Sequence, residues 1–135
     1  MDSGVYVLWL YLPKQTTITV GKLGVFSFQP GVYAYAGSAQ RNLKSRIQRH
    51  QRFEKRLHWH IDYVRPYCLY LGDVVFPGRP KQMECWLVQE LLRIPGAVYP
   101  VPRFGASDCR CGAHLVFVSI AEPRLTKDSV TGIGL

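Results

Sequence analysis

Residues 31–50 read GVYAYAGSAQRNLKSRIQRH, an alternating apolar segment that passes through a glycine into a helical pattern. In residues 32–36, valine and alanine fall on one side of an extended chain and tyrosine falls on the other, because side chains alternate along a strand. Gly37 and Ser38 then predict the end of the strand, and the residues after them predict a helix. We therefore expect the fold to be organised around this strand and the helix that follows it.

The predicted helix separates apolar from basic side chains at 100° per residue. Its apolar sector contains Leu43, Ile47, Phe53 and Leu57, and the residues outside that sector are Arg41, Lys44, Arg49, Arg52, Lys55 and Arg56. Arg46 and His50 break the pattern, because they fall inside the apolar sector. An unpaired guanidinium is costly to bury, so Arg46 should meet a carboxylate, a phosphate or a polar cleft. The helix alone is equally compatible with a salt-bridged arginine at the edge of the apolar face.

Three groups of residues resemble the motifs of the GIY-YIG nuclease superfamily. They are Gly4-Val5-Tyr6, Tyr35-Ala36-Gly37, and Asn42-Leu43 with Arg46 and His50. That superfamily is named for a Gly-Ile-Tyr triplet on one strand and a Tyr-Ile-Gly triplet on a neighbouring strand, followed by a helix with an essential arginine. The triplet Gly31-Val32-Tyr33 lies on the same strand as the second motif, so the first role is assigned to Gly4-Val5-Tyr6.

Later residues resemble one branch of this superfamily, whose members also occur fused to endonuclease III-like DNA glycosylases. The matching blocks are WHIDY at 59–63, EC at 84–85, FGASDCRC at 104–111 and HL at 114–115. The resemblance covers nearly the whole chain. It implies a nuclease fold with an extra hairpin between the two motif strands, and a DNA-repair glycosylase or another repair protein as a partner.

The order of strand and helix signals predicts an α/β (α+β) fold with a small, mostly antiparallel sheet flanked by helices. Strands are predicted at Gly4–Leu12, Thr16–Val20, 25–28, 32–36, 69–76, 97–101 and 114–120, a second long helix at 81–93, and a short helical or irregular segment at 57–64. We expect one domain over residues 1–121. Residues 122–135 have few large apolar side chains and are expected to form a flexible tail.

The charge of the chain favours a polyanionic partner. Lysine and arginine number 17 against 9 aspartate and glutamate, a formal net charge of +8 over 135 residues. Nucleic acid is the favoured partner for such a charge, although many small basic proteins bind nothing in particular. The apolar share of 47% is sufficient for a core that needs no disulfide or structural metal.

Several sequence features favour the cytoplasm. No stretch of about 18 apolar residues predicts a membrane span, and no basic segment precedes an apolar core as in a secretory signal. The spacing of Cys68, Cys85, Cys109 and Cys111 suggests no disulfide framework, which favours a reducing compartment. We expect a cytoplasmic, nucleoid-associated protein that does not bind a membrane.

The resemblance implies a catalytic set of two tyrosines, one arginine and one polar helix residue. Tyr6 and Tyr35 take the tyrosine roles, with Tyr35 preferred for activating water, Arg46 contacts the phosphate, and His50 assists near the same phosphate. A tyrosine with a pKa of about 10 is a poor base unless a metal and a nearby arginine lower that value. Ordinary strand packing is the alternative explanation for both tyrosines.

The resemblance also implies one Mg²⁺ or Mn²⁺ ion held by a glutamate on the second helix, for which the sequence offers Glu84 and Glu90. Helical spacing favours Glu90, which falls among Met83, Trp86 and other apolar residues. The family pattern favours Glu84, and Glu84 is preferred here. One carboxylate with several waters is sufficient to hold Mg²⁺. A solvent-facing carboxylate or an ion pair with Arg46 is the alternative for either residue.

Two further sets of residues complete the candidate sites. The expected nucleic-acid contacts are Ser38, Arg41, Lys44, Arg49, Arg52, Lys55 and Arg56, whose cations would lie along a phosphate backbone. A low-ranked second site for a soft metal such as Zn²⁺ is Cys109, Cys111 and His114, with His58 and His60 elsewhere in the chain. A solvated helix face and a packed loop are the respective alternatives.

These observations predict a metal-dependent DNA endonuclease or nickase that acts in DNA repair or processing. The alternative, from a different class, is a nucleic-acid-binding module on the same fold whose catalytic machinery is too weak or incomplete to cut. Cleavage that depends on a divalent metal and on Arg46 distinguishes the first from the second.

Overall fold

The computed structural model describes residues 2–52, 55–105 and 112–119. Its elements are β1 Gly4–Leu12, β2 Thr16–Val20, β3 Gly24–Phe28, β4 Gly31–Ala39, α1 Leu43–Gln51, α2 His60–Val64, β5 Leu69–Pro77, α3 Met83–Leu92 and β6 Leu115–Ser119. Four strands form one sheet in the order β5-β1-β4-β6, and β2 and β3 form a separate hairpin. All pairings are antiparallel. The predicted α+β fold with an extra hairpin between the motif strands is confirmed.

The central pair of strands places the two motif triplets side by side. β1 and β4 are antiparallel, with Tyr6 opposite Gly37 and Leu8 opposite Tyr35. Tyr6 and Tyr35 are therefore diagonal neighbours on the same face of the sheet, a separation that long side chains span.

The sheet is covered on both faces, as the alternation of its apolar residues requires. One core cluster joins Tyr6, Leu8, Leu10 and Leu12 of β1 to apolar residues of α1, α2 and the β2–β3 hairpin. A second cluster joins Val5 and Val7 to Leu87 and other residues of α3. The helices α1 and α3 thus pack on opposite faces of the sheet.

Helix α1 is shorter than predicted, because its ends are capped by distant residues. Asp2 accepts hydrogen bonds from the backbone amides of Leu43 and Lys44 at the first turn. At the other end, buried Arg65 donates to the carbonyl oxygens of His50 and Gln51, at 2.8 and 2.9 Å. These bonds satisfy groups that the helix itself leaves unpaired.

Several predicted boundaries were wrong. Residues 37 and 38 do not end β4, which continues to Ala39. Leu57 lies outside α1 and is 51% exposed, and Phe53 is outside the described residues. Residues 97–101 contain only a single bridge, between Val98 and Phe117.

The cysteines also differ from expectation. Their spacing suggested no disulfide framework, yet Cys85 is disulfide-bonded. Cys68 is a free, buried thiol, and burial raises its pKa to about 12.

Among the described residues, no helix has both the length and the apolar character needed to cross a membrane.

Candidate active site

A cleft of about 410 Å³ lies at the end of the sheet where β1 starts and β4 ends. Its lining includes Tyr6, Tyr35, Arg46, Glu84 and His114. β1 and β4 supply the tyrosines, α1 supplies the arginine and α3 supplies the glutamate. Residues that are far apart in the sequence therefore meet at one surface.

The glycine of the second triplet makes room for the tyrosine of the first. A Cβ atom added at Gly37 would lie 2.6 Å from the Cζ and hydroxyl oxygen of Tyr6. Real contacts of a Cβ atom essentially never come this close. Gly37 is therefore needed so that the Tyr6 ring can lie across β4 with its hydroxyl in the cleft.

The Tyr6 hydroxyl makes a buried hydrogen bond of 2.8 Å with Nε2 of His50. Burial raises the pKa of Tyr6 well above its usual range, and the nearby Arg46 charge opposes this rise. The pKa of His50 is lowered to about 3, chiefly by burial and also by the charges of Lys55, Arg49 and Arg46, while the Asp62 charge opposes this shift. His50 is therefore a neutral imidazole at neutral pH, and its Nδ1 finds no hydrogen-bond partner among the described residues.

Tyr35 is enclosed by aromatic rings. Its ring packs edge-on against His50 and Phe104, with centroids 6.2 Å apart in both pairs. A Cβ atom on Gly105, whose φ is +73°, would lie 3.2 Å from the Tyr35 ring. Burial raises the pKa of Tyr35 well above its usual range. Within the described residues, no hydrogen bond of its hydroxyl matches the one between Tyr6 and His50.

Arg46 lies at the cleft wall, as its position inside the apolar sector predicted. Its guanidinium donates to the carbonyl oxygen of Ser38 at 2.9 Å. The same guanidinium lies 4.4 Å from the centroid of the Trp59 ring. Arg46 is thus oriented by a backbone carbonyl and an aromatic face, and it contributes positive charge to the cleft beside Tyr6.

A largely buried group of charged residues lies next to Arg46. It consists of Asp62, Arg49 and Lys55, and we call it the support cluster. Arg49 donates two hydrogen bonds of 2.9 Å to the two carboxylate oxygens of Asp62, and Lys55 lies 3.7 Å from the same carboxylate. The backbone amides of His58 and Trp59 donate to it at 2.8 Å each. Burial opposes ionisation of Asp62, but these hydrogen bonds keep its pKa below its usual value.

The support cluster reaches Arg46 through Trp59. The Arg49 guanidinium also lies 4.4 Å from the Trp59 centroid, the same distance as that of Arg46. Residues 59–63 belong to one of the blocks that resemble the family, but the sequence alone assigned no role to Trp59 or Asp62. The available signal was an aspartate three residues after the tryptophan at a helix start, which is typical of helix capping.

The two candidate glutamates have different environments. Glu84 is 6% exposed and lines the cleft. The Glu90 side chain is 43% exposed and pairs with Arg93 at 3.5 Å. The spacing argument that turned Glu90 inward was wrong, because α3 packs through Leu87, Val88 and Leu91 while Trp86 is 53% exposed.

The proposed second metal site is not assembled in the described part of the chain. Cys109 and Cys111 are outside the described residues, and His114 lines the main cleft, 4.0 Å from a Glu84 carboxylate oxygen. His58 contacts Trp59, and His60 accepts a hydrogen bond from the Gly105 amide. The described residues contain no group of three or more potential metal ligands.

The expected basic row is only partly exposed. Arg41, Lys44, Arg52 and Arg56 are exposed, and Arg41 lines the cleft with Ser38. Lys55 was expected on the surface, but its side chain is 3% exposed because its ammonium group binds Asp62 and the carbonyls of Arg49 and His50. Arg49 is likewise engaged by Asp62, with 18% exposure. The row along α1 is therefore interrupted.

Comparison with known families identifies one match, which spans residues 5–132 and is described as domain of unknown function DUF123. The chain belongs to this family. Comparison with curated proteins and with solved structures finds no match.

Proposed function

We propose that this member of the DUF123 family is a metal-dependent DNA endonuclease or nickase of the GIY-YIG type. One observation carries the proposal. The Tyr6 hydroxyl is hydrogen-bonded to a neutral imidazole beside the Arg46 guanidinium, in a cleft whose wall also holds the buried carboxylate of Glu84. Phosphodiester hydrolysis requires an acceptor for the proton of water and stabilisation of the charge that develops on phosphorus and on the leaving oxygen.

In this proposal Arg46 binds the scissile phosphate. Its orientation by Ser38 and Trp59 leaves the guanidinium in the cleft before substrate arrives. A cation fixed in this way stabilises developing negative charge without reorganising during the reaction.

Tyr6 has better partners than Tyr35 for accepting the proton of the attacking water. As the water oxygen bonds to phosphorus, its proton passes to the Tyr6 oxygen and the Tyr6 proton passes to Nε2 of His50. The bond from phosphorus to the leaving oxygen breaks, and the leaving oxygen keeps the electron pair and takes a proton from solvent. Because the Arg46 charge contributes to the low pKa of His50, a bound phosphate that offsets this charge raises the proton affinity of His50. Tyr35 then shapes the wall of the cleft.

Glu84 is the proposed ligand for Mg²⁺ or Mn²⁺. Its burial on the cleft wall, beside open space for water and phosphate oxygens, fits a cation that is held by one carboxylate and keeps several waters. When bound, such an ion stabilises negative charge on the phosphate and the leaving oxygen.

DNA is the proposed polyanionic substrate because of the net charge of +8 and the cations at the cleft. Repair or processing of DNA, a nucleoid location and a DNA-repair glycosylase as a partner follow from the resemblance of the sequence and remain parts of the proposal.

The proposal is tested by incubating the protein with plasmid, flap, nicked and branched DNA in Mg²⁺, Mn²⁺ or EDTA. We expect metal-dependent cutting that Arg46→Ala and Tyr6→Phe each reduce by about 10²-fold or more. Tyr35→Phe removes only a hydroxyl and should retain more activity than Tyr6→Phe. A larger loss in Tyr35→Phe than in Tyr6→Phe would return the water-activating role to Tyr35.

The second candidate function is a nucleic-acid-binding module without cleavage activity. The raised pKa values of Tyr6 and Tyr35 favour it, because both tyrosines are held in their protonated forms. Salt-sensitive DNA binding with no cutting in either metal would reject the nuclease and support the binding module.

A further inference from the structure

A second cavity of about 410 Å³ lies beside the cleft at the same end of the sheet. The two cavities share Ser38, Ala39, Gln40 and Lys81 in their walls. The pairing of Gly4 with both Ala39 and Pro77 brings the ends of β1, β4 and β5 together here. The second cavity therefore continues the cleft across the end of the sheet.

Backbone forms much of the wall of this second cavity. Gly4 and Gly78 both line it, and the Gly78 amide donates to the Ser3 carbonyl oxygen at 2.8 Å. A Cβ atom at Gly4 would lie 2.4 Å from the carbonyl oxygen of Phe76. A side chain is thus excluded at Gly4, and only backbone atoms of this residue line the cavity.

The charges of the two cavities differ. The cleft contains Arg41, Arg46 and Lys81 together with the carboxylate of Glu84. The second cavity contains Arg79 and Lys81, and the described residues that line it include no acidic side chain. A cavity whose described lining carries cationic side chains without a carboxylate suits an anion rather than a metal ion.

We propose that the second cavity binds the phosphate next to the scissile one, so that a nucleic-acid strand crosses from Arg46 over Lys81 to Arg79. This inference rests on the proposed function, because it takes the cleft as the position of the scissile phosphate. The strand then follows the end of the sheet and the loop before α3. The sequence had placed it along α1, where Arg49 and Lys55 are engaged by Asp62.

The test measures binding of a fluorescent single-stranded DNA oligonucleotide over a range of salt concentrations, using fluorescence anisotropy. The variants are Arg79→Ala, Arg79→Lys and Arg79→Glu. The matched control is Arg93→Ala, which removes an exposed arginine at the other end of α3 whose side chain is 78% exposed. Circular dichroism establishes that each variant is folded.

We expect Arg79→Ala to weaken binding about five- to tenfold and to reduce the slope of log K against log salt by about one. Arg79→Glu should weaken binding further, Arg79→Lys should retain most of it, and Arg93→Ala should match the wild type. Equal binding by Arg79→Ala and Arg93→Ala would overturn this inference and leave the proposed function standing. A wild-type protein that binds no DNA would overturn both.

Discussion

Helix α1 takes part in two charged clusters that differ in whether their charged groups are enclosed or border open space. In the support cluster, the fully buried Asp62 carboxylate accepts four hydrogen bonds, two from Arg49 and two from backbone amides. In the cleft, by contrast, Glu84 and Arg46 border open space. A buried carboxylate whose hydrogen bonds come from the protein itself stabilises the fold, whereas charged side chains that border open space can contact a substrate.

The largest expected effect is the loss of DNA cleavage when the Glu84 carboxylate is removed. Glu84→Gln should lower kcat/KM for DNA cleavage about 10²- to 10³-fold, because it removes the negative charge proposed to hold the metal. Glu90→Gln changes a residue on the exposed side of the same helix, and its kcat/KM for DNA cleavage should stay within about twofold of the wild-type value. Cleavage assays in Mg²⁺ compare the two, and equal loss in both variants would remove Glu84 from the metal site.

Asp62→Asn should lower the free energy of unfolding. Removing this charge leaves Arg49 and Lys55 buried beside a neutral amide, which costs about 3 kcal/mol of unfolding free energy. The matched change Glu90→Gln breaks only an exposed pair, at a cost below about 1 kcal/mol. Urea denaturation measures both, and an Asp62→Asn protein as stable as the wild type would show that the cluster is not needed for stability.

The strands could be predicted because their signals are local. The alternation in β1 and β4 follows from each strand having one face on each core cluster, and β2 turns Ile18 and Val20 toward the first cluster. These patterns can be read from neighbouring residues of the sequence. The end of α1 could not be predicted in this way. Its last carbonyls are satisfied by Lys55 and Arg65, and only the folded chain brings Arg65 to that position.

The inward-facing residues of α1 could be predicted from their spacing along the helix. The face of α3 that packs on the sheet could not. Arg46 and His50 were expected to face inward, and His50 is 1% exposed. In α3, Glu90 was predicted to face inward because the large apolar residues Trp86 and Ile94 fall on the same side of the helical projection. In the structure, however, these two residues are 53% and 36% exposed. Which apolar line meets the sheet is decided by packing on β1 and β4, which the helix sequence does not contain.

The neutral His50 makes stability depend on pH in a window that differs from that of Asp62. Because the folded pKa of His50 is about 3, against about 6.5 when unfolded, its contribution is complete above pH 6.5 and is lost as the pH falls toward 3. The contribution of Asp62, whose pKa is also lowered, is lost only below its unfolded value of 3.8.

Between pH 6 and pH 4 the unfolding free energy should therefore fall by up to about 1.4 kcal/mol per pH unit for the single proton of His50. His50→Gln should reduce this slope by the same amount. His60, whose pKa is also lowered by burial, adds a slope of the same sign that persists in the variant. Urea denaturation at several pH values measures the difference, and identical slopes in the two proteins would mean that His50 titrates normally.

The smallest expected effect lies at Trp59, where the support cluster and the cleft meet. Trp59→Leu removes the aromatic face that both Arg46 and Arg49 contact, while the hydrogen bond from Arg46 to Ser38 remains. A cation–π contact contributes about 0.5 to 2 kcal/mol, so we expect kcat/KM to fall about five- to tenfold. Trp59→Phe, which keeps an aromatic ring, should recover part of this loss. If Trp59→Phe and Trp59→Leu cut equally slowly and are equally destabilised, Trp59 acts by packing alone and the support cluster does not orient Arg46 through its ring.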